Sequence, residues 1–373
     1  MPKPSLDWEC LRRSTDFALR RASRFLIAEF ERPHLVLSTS ARNGGESSSI
    51  RYLVNHQSCE ASAHKDRYET ISGFEAYHDV VCAEVDLPRA EVALMGTAAN
   101  MNYAAVVVAK DLDLEVTAVV TAGVQGNACC AGDPTVWREG EQGWVKVDGT
   151  INTIVLINRP LTAGALARAV ATMTEGKSAA LQRLAVRSLY SQELATGTGT
   201  DQFAIAAPLD GPGRLTSASP HVKLGELIGC AVRDATLEAL RWQNGLEPSY
   251  TRGIFSALTR YGLREETFFQ DIAPYLSDSD VELLKKNGKA VFYEPLVGAA
   301  AFAMAAVLDR HRHGAIPPSA AQEALRQQAA TMAASLAAKP YEWERFRAQL
   351  IETDPVQLVL KAVALGWSSK WRS

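Results

Sequence analysis

The run Glu115–Val124, EVTAVVTAGV, leaves this chain least freedom. It is dominated by β-branched residues, which are stiff at χ1 and pack well on a pleated surface. It reads as a central strand. Residues 149–158, GTINTIVLIN, read as a second strand ended by Pro160. Between them lies a turn-rich stretch with Asn127, Gly132, Asp133 and Pro134. Long loops of this kind in compact domains more often carry function than filler.

The segments around these strands alternate in type. Residues 161–190 carry the clearest helical pattern, with Leu166, Val170, Met173, Leu181 and Leu184 among alanines and Gly176 as a break or kink. A glycine-threonine loop then enters a strand at Gln202–Ala206, and a helix runs from near His221 toward Leu240. Upstream, residues 5–30 read as an entry helix. Leu35–Ser38 and Ile50–Asn55 read as two strands pairing antiparallel, and Val80 onward as a strand followed by an alanine-rich helix near Tyr103–Lys110. This alternation predicts an α/β fold, a mixed α+β core sheet with packed helices, plus a C-terminal all-helical extension. The expected divisions are a helical segment at 1–34, a core domain at 35–244 and a helical extension at 245–373.

Charge and composition exclude some classes. With 39 Lys and Arg against 42 Asp and Glu, no cation excess exists to neutralise a phosphate backbone, so nucleic acid is not expected as a partner. Arg13, Arg20, Arg21 and Arg24 interrupt any signal-peptide core. The apolar stretch Val297–Leu308 is shorter than the roughly 18 to 20 residues of a membrane span and reads as a buried helix. The six cysteines (Cys10, Cys59, Cys82, Cys129, Cys130, Cys230) form no CxxC pair, and no HExxH spacing exists, so no metal site or disulfide framework is expected. The adjacent Cys129 and Cys130 read as small buried residues. A cytoplasmic protein without a membrane span is the expectation, with homo-oligomerisation left open.

Four loops could carry chemistry. Asn43-Gly44-Gly45 offers amide donors to a ligand and equally a plain hairpin turn. TAGVQGNACCAGDP delivers Asn127 and Asp133 at a strand end; Asp133 is a candidate general base, and Asp before Pro is also a common turn initiator. Thr196-Gly197-Thr198-Gly199-Thr200-Asp201 lets the backbone approach an anion or amide, and it lacks the lysine of a phosphate-binding loop. His221, Lys223 and Glu226 bring an imidazole, an ammonium and a carboxylate to a helix start, where a solvated ion pair is the plainer account. His56, His64, His78, His311 and His313 read as structural or surface residues.

The ordered set NGG (43–45), LMGTAAN (94–100), TAGVQGNACCAGDP (121–134), GTIN (149–152), LTAGAL and TEGKSAAL (161–181), TGTGTD (196–201) and HVKLGELIG (221–229) resembles the adenosylcobinamide amidohydrolase family. The resemblance implies hydrolysis of adenosylcobinamide to adenosylcobyric acid and 1-amino-2-propanol. The substrate would be a corrinoid, and no cofactor is implied, cobalt entering only within the substrate. A non-catalytic corrinoid-binding protein and a glycine-loop transferase acting on a nucleotide are the alternatives. The family supplies no catalytic assignment, so roles follow from chemistry: amide hydrolysis needs an activated water, oxyanion donors and an acid for the leaving amine. Asp133 or Glu226 would activate water, and His221 or Lys223 would protonate the amine. Backbone amides of 197–199 with Asn127 would hold the oxyanion. Asn43, Gly44, Gly45, Thr196, Gly197, Thr198, Gly199, Thr200 and Asp201 would line the substrate site. A covalent route through Thr196, Thr198 or Thr200 competes.

Overall fold

The computed structural model describes residues 6–58, 73–135 and 149–371. The chain divides into two units, Met1–Leu246 and Glu247–Ser373. The first opens with strands β1 (Glu9–Arg13), β2 (Phe17–Ala22), β3 (Phe25–Phe30), β4 (His34–Ser38), β5 (Gly45–Ser47) and β6 (Tyr52–Gln57). Helix α1 (Phe74–Glu84) leads to β7 (Val92–Thr97), β8 (Ala105–Asp111), β9 (Leu114–Ala122), β10 (Ala128–Cys129) and β11 (Ile151–Ile157). Helix α2 (Ala163–Arg183), the short β12 (Gly197–Thr198), β13 (Gln202–Pro208) and helix α3 (Lys223–Asn244) complete it.

Two sheets result, ordered β1-β2-β3-β6-β7 and β5-β4-β13-β11-β9-β8. Their side chains alternate with the period of a strand and so serve two cores each. Leu19, Leu26, Leu53 and Met95 of the first sheet meet Val119, Ile154, Leu156 and Ala206 of the second, which packs the sheets face to face. The outer face of the first sheet, with Ile27, Val54 and Leu94, is covered by Val81 and Cys82 of α1. The outer face of the second, with Val120, Val155 and Ile205, is covered by Leu166, Leu181, Ile228 and Val232 of α2 and α3. The unit is a four-layer α/β/β/α sandwich. EVTAVVTAGV and GTINTIVLIN form β9 and β11 inside the second sheet, in unbroken antiparallel register from Ile151↔Ala122 to Ile157↔Val116.

Several expectations are corrected. Residues 5–30 are not a helix and no helical segment occupies the described part of 1–34: β1, β2 and β3 form a meander. Ser14 accepts the amides of Asp16 and Phe17 in the first turn, and Ser23 takes a left-handed φ of 49° in the second. The scattered arginines that suggested a helix face pair across the sheet instead, Arg20 with Glu29 and Arg21 with Glu9. Leu35–Ser38 and Ile50–Asn55 do not pair with each other. β4 takes β5 and β13 as neighbours, while β6, buried on both faces, sits between β3 and β7 in the other sheet. The expected strand at Val80 lies in helix α1, and the expected helix at Tyr103–Lys110 is the strand β8. There the β-branched Val106, Val107 and Val108 outweigh the alanines, and a full hairpin with β9 satisfies the backbone.

Helix α2 runs unbroken through Gly176. A Cβ at Gly176 would lie 2.9 Å from the Gly229 carbonyl oxygen of α3, so glycine is what lets the two helices approach.

The second unit is helical throughout its described secondary structure, built on Asp278–Phe292, Pro295–Arg312, Pro318–Ala337 and Pro355–Lys370 with shorter turns around them. Its core gathers Phe268, Phe292, Met304, Ala329, Ala333, Val363 and Trp367. Arg260 and Asp309 form a two-pronged ion pair at 2.7 Å on each prong. No single helix among the described residues is long and apolar enough to cross a membrane.

The helix contact is asymmetric, because a Cβ at Gly229 meets nothing within 4 Å. Gly229→Ala should therefore stabilise by about 0.5–1 kcal/mol through helix propensity. Gly176→Ala should destabilise by about 1–3 kcal/mol for a forced backbone shift despite the same propensity gain, and so lower the urea midpoint. Equal midpoints for the two variants would contradict the close crossing.

Candidate active site at the loop end of the sandwich

Antiparallel pairing of the two-residue strands β10 and β12, Ala128↔Thr198 and Cys129↔Gly197, joins the Asn127 loop to the TGTGTD loop. The joint is tied by Asp201. Its carboxylate accepts the Ile151 amide at 3.0 Å, the Thr198 amide at 3.1 Å, the Thr198 hydroxyl at 2.5 Å and the Lys177 ammonium. The Lys177 and Asp201 side chains are only 14% and 18% exposed. A Cβ on Gly197 would fall 2.4 Å from Asp201 Oδ2 and 2.6 Å from Lys177 Nζ, which is why a side chain is excluded there.

Above this knot, Asn127 is 2% exposed while Gly199 and Thr200 face solvent. Asn127 Nδ2 donates to the Gly149 carbonyl and to Thr200 Oγ1, each at 3.2 Å, and Thr200 Oγ1 donates to the same carbonyl at 2.8 Å. Thr150 Oγ1 donates to the Thr200 carbonyl at 2.7 Å. Thr196 Oγ1 accepts the Ala131 amide at 2.9 Å.

Beneath it, carboxamides cross between the sheets. Asn152 Nδ2 donates to Asn55 Oδ1 at 2.9 Å and to the Gly96 carbonyl at 3.1 Å, and Asn55 Nδ2 donates to Thr121 Oγ1 at 2.8 Å. Asn55 and Asn152 were absent from the candidates. Their signal was a carboxamide at an otherwise apolar strand position, here buried to 2% and 1% exposure and therefore in need of partners.

The amides of 197–199, read as oxyanion donors, are largely committed: Thr198 donates to Asp201 and Gly199 to the Asn127 carbonyl at 3.3 Å. Asp133 is a clamp. Its Oδ2 accepts the Cys130 amide at 2.7 Å and the Ser188 hydroxyl at 2.6 Å, and Ser188 Oγ accepts the Tyr190 amide at 2.9 Å. Tyr190, also missed, donates its hydroxyl to Asn127 Oδ1 at 3.1 Å. Cys129 and Cys130 are free, half-buried thiols rather than fully buried ones, and burial pushes both up from the ordinary thiol range.

His221, Lys223 and Glu226 are not assembled with these groups. They are exposed around the first turn of α3, with Lys223 and Glu226 paired at 2.7 Å in solvent. At the other end of the helix Asn244 Oδ1 accepts the Val124 amide at 3.1 Å, ahead of the Asn127 loop. Local spacing announced a helix start and could not tell which end of the sheet it served. Asn43, Gly44 and Gly45 also serve the fold. Asn43 Nδ2 donates to the carbonyls of Arg89 and Val92, before and at the start of β7, whereas Gly96 lies near that strand's other end. His56 is buried against the Tyr77 hydroxyl at 2.7 Å and His78 against the Val92 carbonyl at 3.2 Å; Cys59 and His64 lie outside the described residues. A polar cleft lined by Asp16, Arg32, Glu115 and Asn158 opens at the opposite end of β11, and its charges are already matched, Asp16 with Arg32 and Glu115 with Arg12 and Lys110.

Burial raises the Asp133 carboxyl, but hydrogen bonds from Ser188, Ser191 and the Cys130 amide outweigh it and hold the group below its ordinary 3.8. A carboxylate held this way is a weak base and a good loop anchor. A depressed folded value means the stabilisation is fully present above about pH 3.8 and fades as pH falls below it. Asp133→Asn should cost about 1–3 kcal/mol at neutral pH. The gap from wild type in urea midpoints should stay constant down to about pH 4 and shrink below it; a gap that widens on acidification would reverse this assignment.

A family model described as adenosylcobinamide amidohydrolase matches residues 9–248. An uncharacterized protein of Methanocaldococcus jannaschii is 32% identical over 237 residues, covering 60% of this chain and 89% of that protein. The family match begins with β1 and ends just past α3, so it takes in the whole four-layer unit and the loop cluster at its end. The chain belongs to the adenosylcobinamide amidohydrolase family.

Proposed function

We propose that this chain is a cytoplasmic enzyme of corrinoid salvage for adenosylcobalamin synthesis. It cuts the amide joining the aminopropanol arm to the corrin side chain of adenosylcobinamide, giving adenosylcobyric acid and 1-amino-2-propanol. Family membership across the entire sandwich unit carries this reading.

In hydrolysis, a water oxygen attacks the carbonyl carbon, the carbonyl oxygen gains negative charge, and the C–N bond breaks as the amine takes a proton. The developing oxyanion gains most from donors already fixed in place. The solvent-facing Thr200 hydroxyl and the Asn127 carboxamide behind it are fixed in place by Gly149, Thr150 and the Asp201 knot; both now donate to the Gly149 carbonyl, so the substrate oxygen takes their hydrogens by displacing that acceptor. Of the three threonines weighed as nucleophiles, Thr200 alone faces solvent; Thr198, 8% exposed, has its hydroxyl committed to Asp201. Burial makes Thr198 the least accessible of the three to a large substrate.

Incubation of the full-length protein with adenosylcobinamide should release free 1-amino-2-propanol, measured by mass spectrometry. Bound corrinoid without release would favour a carrier instead. Asn127→Ala should lower kcat/KM by about 100-fold, the scale of one lost oxyanion donor. His221→Ala and Glu226→Ala should stay within about twofold of wild type, because these groups are solvated and Glu226 is already paired with Lys223, so neither gains in the transition state.

A further inference from the structure

Tyr190 is unused in the scheme above, yet its placement is unusual for a surface residue. Tyr190 is 48% exposed and the neighbouring Leu189 39% exposed, so two large apolar residues face solvent beside a buried polar cluster. Single exposed apolar side chains are ordinary and usually mobile. This pair is held at three points. The Leu189 amide donates to the Ala128 carbonyl at 2.9 Å, the Tyr190 amide to Ser188 Oγ at 2.9 Å, and the Tyr190 hydroxyl to Asn127 Oδ1 at 3.1 Å.

The last bond has a chemical effect. A carboxamide has one acceptor end and one donor end. By donating to Oδ1, the Tyr190 hydroxyl fixes that atom as the acceptor and turns Nδ2 toward Gly149 and Thr200. The same residue thus orients the buried amide and presents an aromatic face to solvent. A corrinoid is far larger than the bond to be cut, and its wide amphipathic ring needs apolar contact close to the reacting amide. An immobilised tyrosine supplies such contact at little entropic cost.

We infer that Tyr190 is a specificity-determining and positioning residue: its ring forms a wall for the corrin macrocycle, and its hydroxyl sets the orientation of the Asn127 carboxamide. The inference rests on the amidohydrolase reading proposed above.

The test compares full-length wild type with Tyr190→Phe, Tyr190→Trp and Tyr190→Leu, by steady-state hydrolysis of adenosylcobinamide and by equilibrium dialysis of the same compound. Tyr190→Phe and Tyr190→Trp keep an aromatic face and lose the bond to Asn127. Each should hold KM within about twofold and lower kcat about tenfold. Tyr190→Leu should show the same kcat loss and, in addition, a KM and a dissociation constant raised about tenfold. A Leu variant with KM and kcat both unchanged overturns the proposal, as does a Phe variant that loses as much binding as Leu. If the Leu variant does not fold, the Phe and Trp variants decide, an unchanged kcat overturning the positioning role. Wild type that binds adenosylcobinamide without releasing aminopropanol ends the amidohydrolase reading alone, and the Leu-to-wild-type binding ratio still judges the wall. Wild type that neither binds nor cleaves ends both.

Discussion

The loop end of the sandwich depends on the Asp201 carboxylate. Its four donors come from separate parts of the chain: the first residue of β11, the amide and hydroxyl of Thr198 beside the β10–β12 joint, and Lys177 of α2. A carboxylate removed this far from water is tolerable only when its lone pairs are met, and here a cation and three hydrogen bonds meet them. Breaking such a group by removing one partner leaves a charge stranded, so the knot is an all-or-none constraint. It fixes where β11 begins, how far α2 lies from the sheet, and where Gly199 and Thr200 reach solvent. The side chain looks like a ligand-binding carboxylate in sequence, and the fold has already supplied its ligands.

The carboxamides of Asn55 and Asn152 impose the second constraint. Most of the space between the sheets is apolar and non-directional, with Leu26, Leu53, Ile154 and Ala206 in contact. Such a core tolerates small slips. The hydrogen bonds from Asn152 to Asn55 and to the Gly96 carbonyl do not, because a shift of one residue would turn every side chain on a strand to its other face. The polar layer sits at the end of the sandwich that carries Asn127 and Thr200. Its role is to hold one sheet in register with the other beneath the loops.

What could be read from the sequence divides along the range of the forces involved. EVTAVVTAGV, GTINTIVLIN and the two long helices α2 and α3 were legible because β-branching and helical periodicity act locally. The N-terminal meander was misread because Arg20 and Arg21 find their partners across strands, at Glu29 and Glu9, which periodicity cannot see. Residues 105–111 were misread because three consecutive valines compete with alanines, and the hairpin with β9 decides. At the site, Asn127 and the TGTGTD loop could be named from their own polar and glycine content. That Tyr190 and Asn55 join them is a matter of chain folding over long separations. His221, Lys223 and Glu226 show the opposite limit: their local pattern is real, a charged first helical turn, and nothing local reports whether such a turn joins the loop cluster or, as here, pairs Lys223 with Glu226 in solvent.

On the amidohydrolase reading proposed above, this arrangement suits action on a small bond inside a very large molecule. Among the described residues that face solvent at the loop end are Gly199, Thr200 and Tyr190. Each rests on a buried polar atom rather than on another mobile surface group. Thr200 rests on Asn127 and Gly149, and Tyr190 rests on Asn127 and, through Ser188, on Asp133. Orientation is therefore settled before substrate arrives, and little reorganisation is left to oppose the reaction. Asn127 is common to both supports, so a change in either surface group is felt by the other. Coupling of that kind follows from one bond: the hydroxyl of the exposed Tyr190 holds Asn127 Oδ1 and so turns Nδ2 toward Gly149 and Thr200.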